Sequence, residues 1–505
     1  MMKIDKVPFE EALNLTGFGK FNVISFLLCS SIIMGMAFEL FSVSYLVPAS
    51  ACELMTTSNQ QGLMAAVPLI GVIATSHFWG YLADTRGRRK VLCFSMTLSF
   101  IAGALAAFSP DWITFSILKF LSSSAVSGAF ALSMTLLSEI TPEAKRSNLV
   151  ILTSSVFLCC NGFMAIIAIP VLPLKFSYYV PLLNIYFNSW RVLNLIYSLP
   201  CALSVIGLYY SYESPKFLLS VGKENEALKI METVFVINNN KSSDEYPVKS
   251  MVLDELYATH NAKGFFASIK CQTIPLFKPP LLRNTILLSV TFIIVYICMH
   301  PHMVWLPYMT DGFMTSVQRG EHGINFCQRL RNSQNDTVVQ MDDDCSLNEF
   351  ALTMVFAVGL LLALINTIVS TIVNIFGRKR LLITIQLIAA TAALCVNFTT
   401  TWYLSGILII TFISGVLNFG LLSSFCVDVY PTYVKAMAVC LTLMMGRGSA
   451  VLGVNLLKYM LDNHCETSFY VFGSVALVAA VLGFLLPSEA KPPLRDVYEK
   501  DNIST

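Results

Sequence analysis

"HFWGYLADTRGRRK", residues 77–90, breaks an apolar run with one glycine and one acid, then ends in Arg86, Arg88, Arg89 and Lys90. Such a break reads as a nucleic-acid patch, a targeting signal or a loop beside a membrane. The chain carries 33 basic against 31 acidic residues, so no bulk field favours nucleic acid as a partner. Of 505 residues, 55% are hydrophobic and only 13% charged, with a mean hydropathy of +0.66. Soluble domains are about 25% charged. The membrane reading is the one that fits.

Spanning helices need about 20 mainly apolar residues. Working outward from the quoted stretch, runs of that kind lie near 21–48, 61–82, 91–109, 112–138, 148–170 and 190–211, and again near 284–309, 351–376, 381–398, 402–427, 436–460 and 467–487. The first 20 residues are polar, with Glu10 and Glu11, and the following run outlasts the apolar core of a cleavable signal. It reads as a first span that also targets the chain. Residues 86–90, Lys145/Arg146, Arg378/Lys379/Arg380 and Lys435 fall on one side of this layout, as do both termini. Short basic loops face the cytoplasm, so both termini are expected there.

Two loops are long. Residues 212–280 are expected in the cytoplasm with short helices, Ser214-Pro215 starting one and Gly222 stopping it, and "INNNKSSDEYP" as linker. Residues 310–350 are expected outside, with Cys327, Cys345 and the sequon at Asn335. In an oxidising compartment these two cysteines suit a disulfide; the alternative is two free thiols. Most of the fourteen cysteines lie in apolar runs and act as small hydrophobes. Neither a zinc-type Cys/His cluster nor a GxxxxGK[ST] phosphate loop stands in the sequence, and no cofactor is expected.

The chain repeats itself. Asp84 and Gly87 of "DTRGRRK" match Asn374 and Gly377 of "NIFGRKR" at an offset of 290. Glu139, Pro142 and Arg146 of "EITPEAKR" match Asp428, Pro431 and Lys435 of "DVYPTYVK" at 289. Two motifs whose offsets agree to within one residue indicate a duplicated six-helix unit. The expected organisation is a first half over 1–211, a central loop over 212–280, a second half over 281–490 and a tail over 491–505.

On these motifs the chain resembles the major facilitator superfamily, whose architecture is two parallel six-helix halves. "GYLADTRGRRK" is similar to the superfamily's loop signature after span two, departing from it at Thr85. "SWR" (189–191), "YESPKFLL", "GKENEA" and "VYPTYVKA" resemble the synaptic vesicle glycoprotein 2-like branch, a neighbour of the organic cation and anion transporters. The expected fold is an all-α membrane protein of twelve transmembrane helices in two pseudo-symmetric bundles, in the plasma membrane or a secretory vesicle. The resemblance implies a conformational latch of Gly80, Asp84, Gly87, Arg88, Glu139, Arg146, Gly377, Arg378, Asp428 and Lys435. Asp84 would meet the N-terminus of span eleven near Thr432, and the opposite latch, at Asn374, would lack the charge.

Ionisable groups within spans are costly and mark function. Glu39, nine residues before Pro48, and Lys119, seven after Trp112, lie at matching depths of roughly 13 and 10 Å. The resemblance implies that spans one and four both line the central cavity, so the two charges suit pairing there, either as a proton-responsive site or as a fixed structural ion pair. Glu39 matches the second acid of an acid–x–x–acid pattern in related transporters, with Met36 at the first position. Arg447, halfway along span eleven, needs an anion; by resemblance to the organic anion transporters it would contact a carboxylate-bearing substrate. Asn161, Tyr296, Trp305 and Asn418 are pocket candidates. His77, His300 and His302 show no metal-ligand spacing and read as packing residues. No nucleophile–base set points to an enzyme. The expected function is secondary transport of a small organic ion, with protons or another ion for coupling, by a monomer; the alternative is a non-transporting binder of the same fold.

Overall fold

A computed structural model describes residues 6–252, 273–339, 348–430 and 432–486. Twelve of its helices are long and apolar enough to cross a membrane. Spans 1 to 6 are Lys20–Ser50, Ser58–Ala83, Arg88–Phe108, Trp112–Glu139, Leu152–Val171 and Ser189–Tyr210. Spans 7 to 12 are Leu282–Val304, Glu349–Val373, Arg378–Phe398, Trp402–Ser423, Met437–Asn463 and Cys465–Leu485. The chain is a multi-pass membrane protein.

The repeat is visible in local geometry. Gly87 and Gly377 stand at φ +102° and +82°, a backbone region that side chains avoid, and each opens the helix of span 3 or span 9. Span 4 breaks at Ser127–Gly128 and span 10 at the 3-10 turn Ser414–Leu417, corresponding places in the two halves. Span 7 stops at Val304, short of the expected 309, and a separate helix, Leu306–Gln318, follows. Pro301 disrupts the ladder above it, and Pro307 suits the first turn of a new helix.

The two ends of the bundle differ. At the basic end, residues 6–16 join the central loop. Val7–Pro8 pairs in parallel with Met251–Val252, and Phe9–Leu15 packs on Pro215–Ser220 and Glu224–Asn239 through Phe9, Leu13, Phe217 and Met231. Ser214 caps its helix by accepting from the Phe217 amide, and Gly222 stands at φ +78° beyond its end. The stretch expected as linker is ordered instead. Asn239 ends a helix, and Tyr246 is fully buried and donates to the Ala12 carbonyl at 2.9 Å. One tyrosine anchors a segment whose composition alone reads as disordered.

The opposite end carries a disulfide, Cys327–Cys465, with Cα atoms 5.6 Å apart. This corrects the expected Cys327–Cys345 bridge. The helix Phe326–Val339 lies against the ends of spans 9 and 12, where Arg331 meets Glu466 at 3.1 Å, so Cys327 finds the cysteine that opens span 12. Cys52 is also disulfide-bonded, and Cys345 lies outside the described residues. Asn335 lies in the helix Phe326–Val339, its side chain outside those described. Asn397, in a second sequon, donates to the Glu466 carbonyl at 2.8 Å.

Asp311, in the helix Leu306–Gln318, accepts from the Asn348 amide at 2.6 Å, and burial pushes its carboxyl up to about 6. A raised folded-state pKa makes the carboxylate a cost to the fold above it. The associated stability is full below pH 3.8 and is lost as pH rises through about 6. Asp311→Asn is expected to flatten the pH dependence of the melting temperature across that window and to stabilise the protein at pH 7 by about 2 kcal/mol. Thermal unfolding at several pH values checks this.

Candidate functional site

The two halves meet along spans 5 and 8 and spans 2 and 11. Gly162 and Gly359 allow the first contact, since a Cβ on Gly359 would lie 3.0 Å from the Gly162 nitrogen. Ser155 and Thr367 hydrogen-bond at 3.0 Å further towards the basic end. A Cβ on Gly62 would lie 2.8 Å from the Asn455 side-chain oxygen, and Ser58 donates to Asp462. Among the described residues, hydrogen bonds therefore join the halves towards the basic end at Ser155 and Thr367, at Asn161 and Met303, and towards the disulfide end at Ser58 and Asp462. Gly359→Leu wedges this contact. It is expected to raise several-fold the reaction of a cysteine placed at Ser58 with a maleimide added at the disulfide end.

At mid-depth an unbroken series of rings crosses between the halves. Phe130, Phe157 and Phe41 follow one another at 5.8 Å, Phe41 stacks on His300 at 5.9 Å, and His300 on Tyr296 at 6.4 Å. Tyr296 lies flat on Phe419 at 4.1 Å and 16°. Spans 1, 4, 5, 7 and 10 supply these six rings. Arg447, at the midpoint of the helix Thr432–Asn463, lies within electrostatic range of Tyr296, His300, His77 and Cys440. It is partly exposed, and it forms no ion pair among the described residues. Gly446 lets span 11 approach this wall, because a Cβ there would lie 2.8 Å from the Tyr296 ring. The Nδ1 atom of His300 is buried with no hydrogen-bond partner. A cation beside a flat apolar wall suits an organic anion.

Glu39 and Lys119 are brought together at 3.1 Å, each side chain 1% exposed. The pair is closed inside the first half. A Cβ on Gly103 of span 3 would lie 2.3 Å from Glu39 Oε1, so glycine there makes the room for the carboxylate. That oxygen has no hydrogen-bond partner. The expectation that both charges line the central cavity is therefore corrected: they are closed in among spans 1, 3 and 4.

The remaining candidates divide. Tyr296 is in the ring wall. Asn161 accepts from Tyr45 at 2.9 Å and donates to the Met303 carbonyl at 3.5 Å, which joins spans 5 and 7. Trp305 is fully buried and donates to the Val454 carbonyl at 3.0 Å; Asn418 donates to Gln386 at 2.6 Å inside the second half. These two hold helices together and do not reach the wall. Nothing in the sequence singles out Phe41, Phe130, Phe157 and Phe419, whose rings are indistinguishable from core, and His300 read as packing.

Of the latch residues, Arg88 meets Glu139 at 3.4 Å, and Ser214 donates to the same carboxylate. Glu213 accepts from the Arg89 amide at 2.9 Å and lies against Gly87, where a Cβ would sit 2.5 Å from its oxygen. Arg146 meets Glu10 at 2.7 Å. These contacts bind the N-terminal segment and central loop to the first half. A Cβ on Gly80 would meet nothing within 4 Å, so Gly80 mediates no close approach in this conformation. Gly377 and Arg378 open span 9. The side chains of Asp84, Asp428 and Lys435 lie outside the described residues.

Residues 27–454 match the family model described as Major Facilitator Superfamily. The chain belongs to the major facilitator superfamily. It is similar to synaptic vesicle glycoprotein 2B of Homo sapiens, 23% identical over 64% of this chain and 50% of that protein. The chain thus spans about half the length of that relative. It is 24% identical to svop-1 of Caenorhabditis elegans over 95% of this chain and 85% of that one. Among solved structures it is similar to the xylose transporter XylE from E. coli in a partially occluded inward-open conformation. The TM-score is 0.68 at 15% identity, covering 94% of this chain and 100% of the other. Five of the six wall rings stand on spans 1, 4, 7 and 10.

Proposed function

We propose that this major facilitator protein is a secondary transporter of a small carboxylate-bearing organic ion. In this reading the carboxylate lies on Arg447 and the apolar part of the substrate on the wall of Phe41, Tyr296 and Phe419. The observation that carries it is a mid-membrane arginine with no ion pair among the described residues, beside rings drawn from both halves. An unpaired intramembrane charge is costly and is retained where it meets a ligand. The halves rock about this site. The basic loops are cytoplasmic and the disulfide end is outside or lumenal. Glu39 and Lys119, buried beside Gly103, form the proton-responsive pair.

Uptake into liposomes tests this, using purified protein against a panel of organic anions and cations, with and without a pH gradient. Uptake of carboxylates above matched cations is expected. No uptake of any compound, with unchanged thermal stability in all of them, would contradict transport. A non-transporting binder of the same fold is favoured by one observation, the closure of Glu39 away from the central wall. It predicts ligand-induced stabilisation without uptake.

A further inference from the structure

Spans 5 and 6 are joined at the disulfide end by a β-hairpin, Tyr178–Val180 paired with Ile185–Phe187. Residues 176–187 carry no charge, yet Tyr178, Tyr179, Leu182 and Tyr186 are 70%, 51%, 91% and 55% exposed. In water such a surface is an aggregation liability. The hairpin is well formed nonetheless. Tyr179 and Tyr186 pack across the strands at 5.3 Å, and Tyr179 donates to Asn184 at the turn at 2.8 Å.

Its position supplies the reason. Phe187 stacks on Phe108, at the end of span 3, at 5.7 Å and 28°. Phe108 is the last of an exposed apolar stripe formed by Phe94, Leu98, Ile101 and Leu105. Their spacing of four, three, four and three residues puts all five on one helix face, the face span 3 turns to lipid. The hairpin therefore continues a bilayer-facing surface beyond the end of the helix. Tyrosine-rich, uncharged segments at that height are typical of the headgroup interface.

Beneath it the same stripe walls a groove of about 330 Å³ between spans 2, 3 and 4. Leu98, Ile101 and Leu105 form one side, Phe78 and Trp79 the floor, and Leu121 the other side. The lining is almost wholly apolar. Trp79 turns its one polar atom away, donating it to the Ser124 carbonyl at 2.7 Å. The volume lies at the lower end of the range for small-molecule sites.

We propose that this is a site for a single membrane phospholipid: one acyl chain fills the groove of spans 2, 3 and 4, and the hairpin lies in the headgroup region above it. The occupant follows from continuity with the lipid-facing stripe and from a lining that offers a ligand no hydrogen bond. An exposed apolar hairpin joined to that stripe through Phe108 and Phe187 needs a partner that is apolar below and polar above. A phospholipid at the outer or lumenal leaflet has that form.

The test uses the full chain in vesicles of phosphatidylcholine brominated deep on one acyl chain or near the headgroup. The emission of Trp79, taken as the difference between the parent and Trp79→Phe, is expected to be quenched by the deep bromines. Leu182→Trp, at an exposed position that tolerates it, is expected to emit to the blue of aqueous tryptophan and to be quenched by the shallow bromines. A water-like, unquenched indole in Leu182→Trp would overturn the proposal, as would an unquenched Trp79. Quenching of Trp79 by a brominated sterol alone would assign the groove to a sterol and overturn it. Loss of quenching as protein density rises would assign the face to a second copy and overturn it too.

Discussion

Replacing Arg447 by alanine is expected to lower uptake of carboxylate-bearing substrates about 100-fold, corresponding to roughly 3 kcal/mol of charge-assisted hydrogen bonding lost in a site shielded from water. Arg447 has no ion pair among the described residues, so its removal leaves no described carboxylate unpaired. The melting temperature of Arg447→Ala should therefore stay at the parent value or rise, because an uncompensated charge has left the membrane. Arg447→Lys keeps the charge but loses the planar fork, and is expected to fall between parent and alanine. Initial uptake rates over a substrate series, with thermal unfolding measured on the same preparations, separate the two effects. A loss of uptake accompanied by an equal loss of stability would mark Arg447 as a structural group.

Lys119→Met is expected to destabilise the protein by about 3–5 kcal/mol, because it leaves the Glu39 carboxylate buried without its partner. Glu39 is 1% exposed, and one of its oxygens already lacks a hydrogen bond, so neither water nor another side chain is placed to replace the ammonium. The double variant Glu39→Gln/Lys119→Met should recover most of that stability, since removing both charges removes the desolvation cost of each. Uptake then distinguishes a proton-responsive pair from a fixed one. The double variant is expected to exchange substrate at a rate near the parent's while ignoring an imposed pH gradient. Retention of full gradient dependence would make the pair purely structural.

The fold was legible because a membrane span is a compositional feature. Each run of about 20 apolar residues is visible without knowing its neighbours. The 290-residue offset between "DTRGRRK" and "NIFGRKR" was legible because a duplicated loop keeps its glycine, Gly87 or Gly377, where the backbone needs positive φ. The pairing of Glu39 with Lys119 followed from helix rise, which fixes depth, and from the resemblance, which implies that spans 1 and 4 share a cavity. Rotation about the helix axis is not fixed by depth. That is why the pair was expected to face the cavity and lies against Gly103. The partner of Cys327 depended on where the helix Phe326–Val339 settles, and a nearby cysteine in sequence was no guide. The ring wall was illegible for a similar reason. Its six members stand on five spans with no shared period, and phenylalanines in apolar helices are ordinary core.

The most direct measurement is counterflow in liposomes preloaded with an unlabelled carboxylate and diluted into a trace of the labelled one. Exchange needs no coupling ion, so it reports on the mid-membrane site and its alternating exposure alone. The parent protein is expected to accumulate label transiently above equilibrium, and Arg447→Ala to show no overshoot. Absence of overshoot in the parent for every carboxylate tried, or an undiminished overshoot in Arg447→Ala, would contradict a transporter that carries its substrate on Arg447.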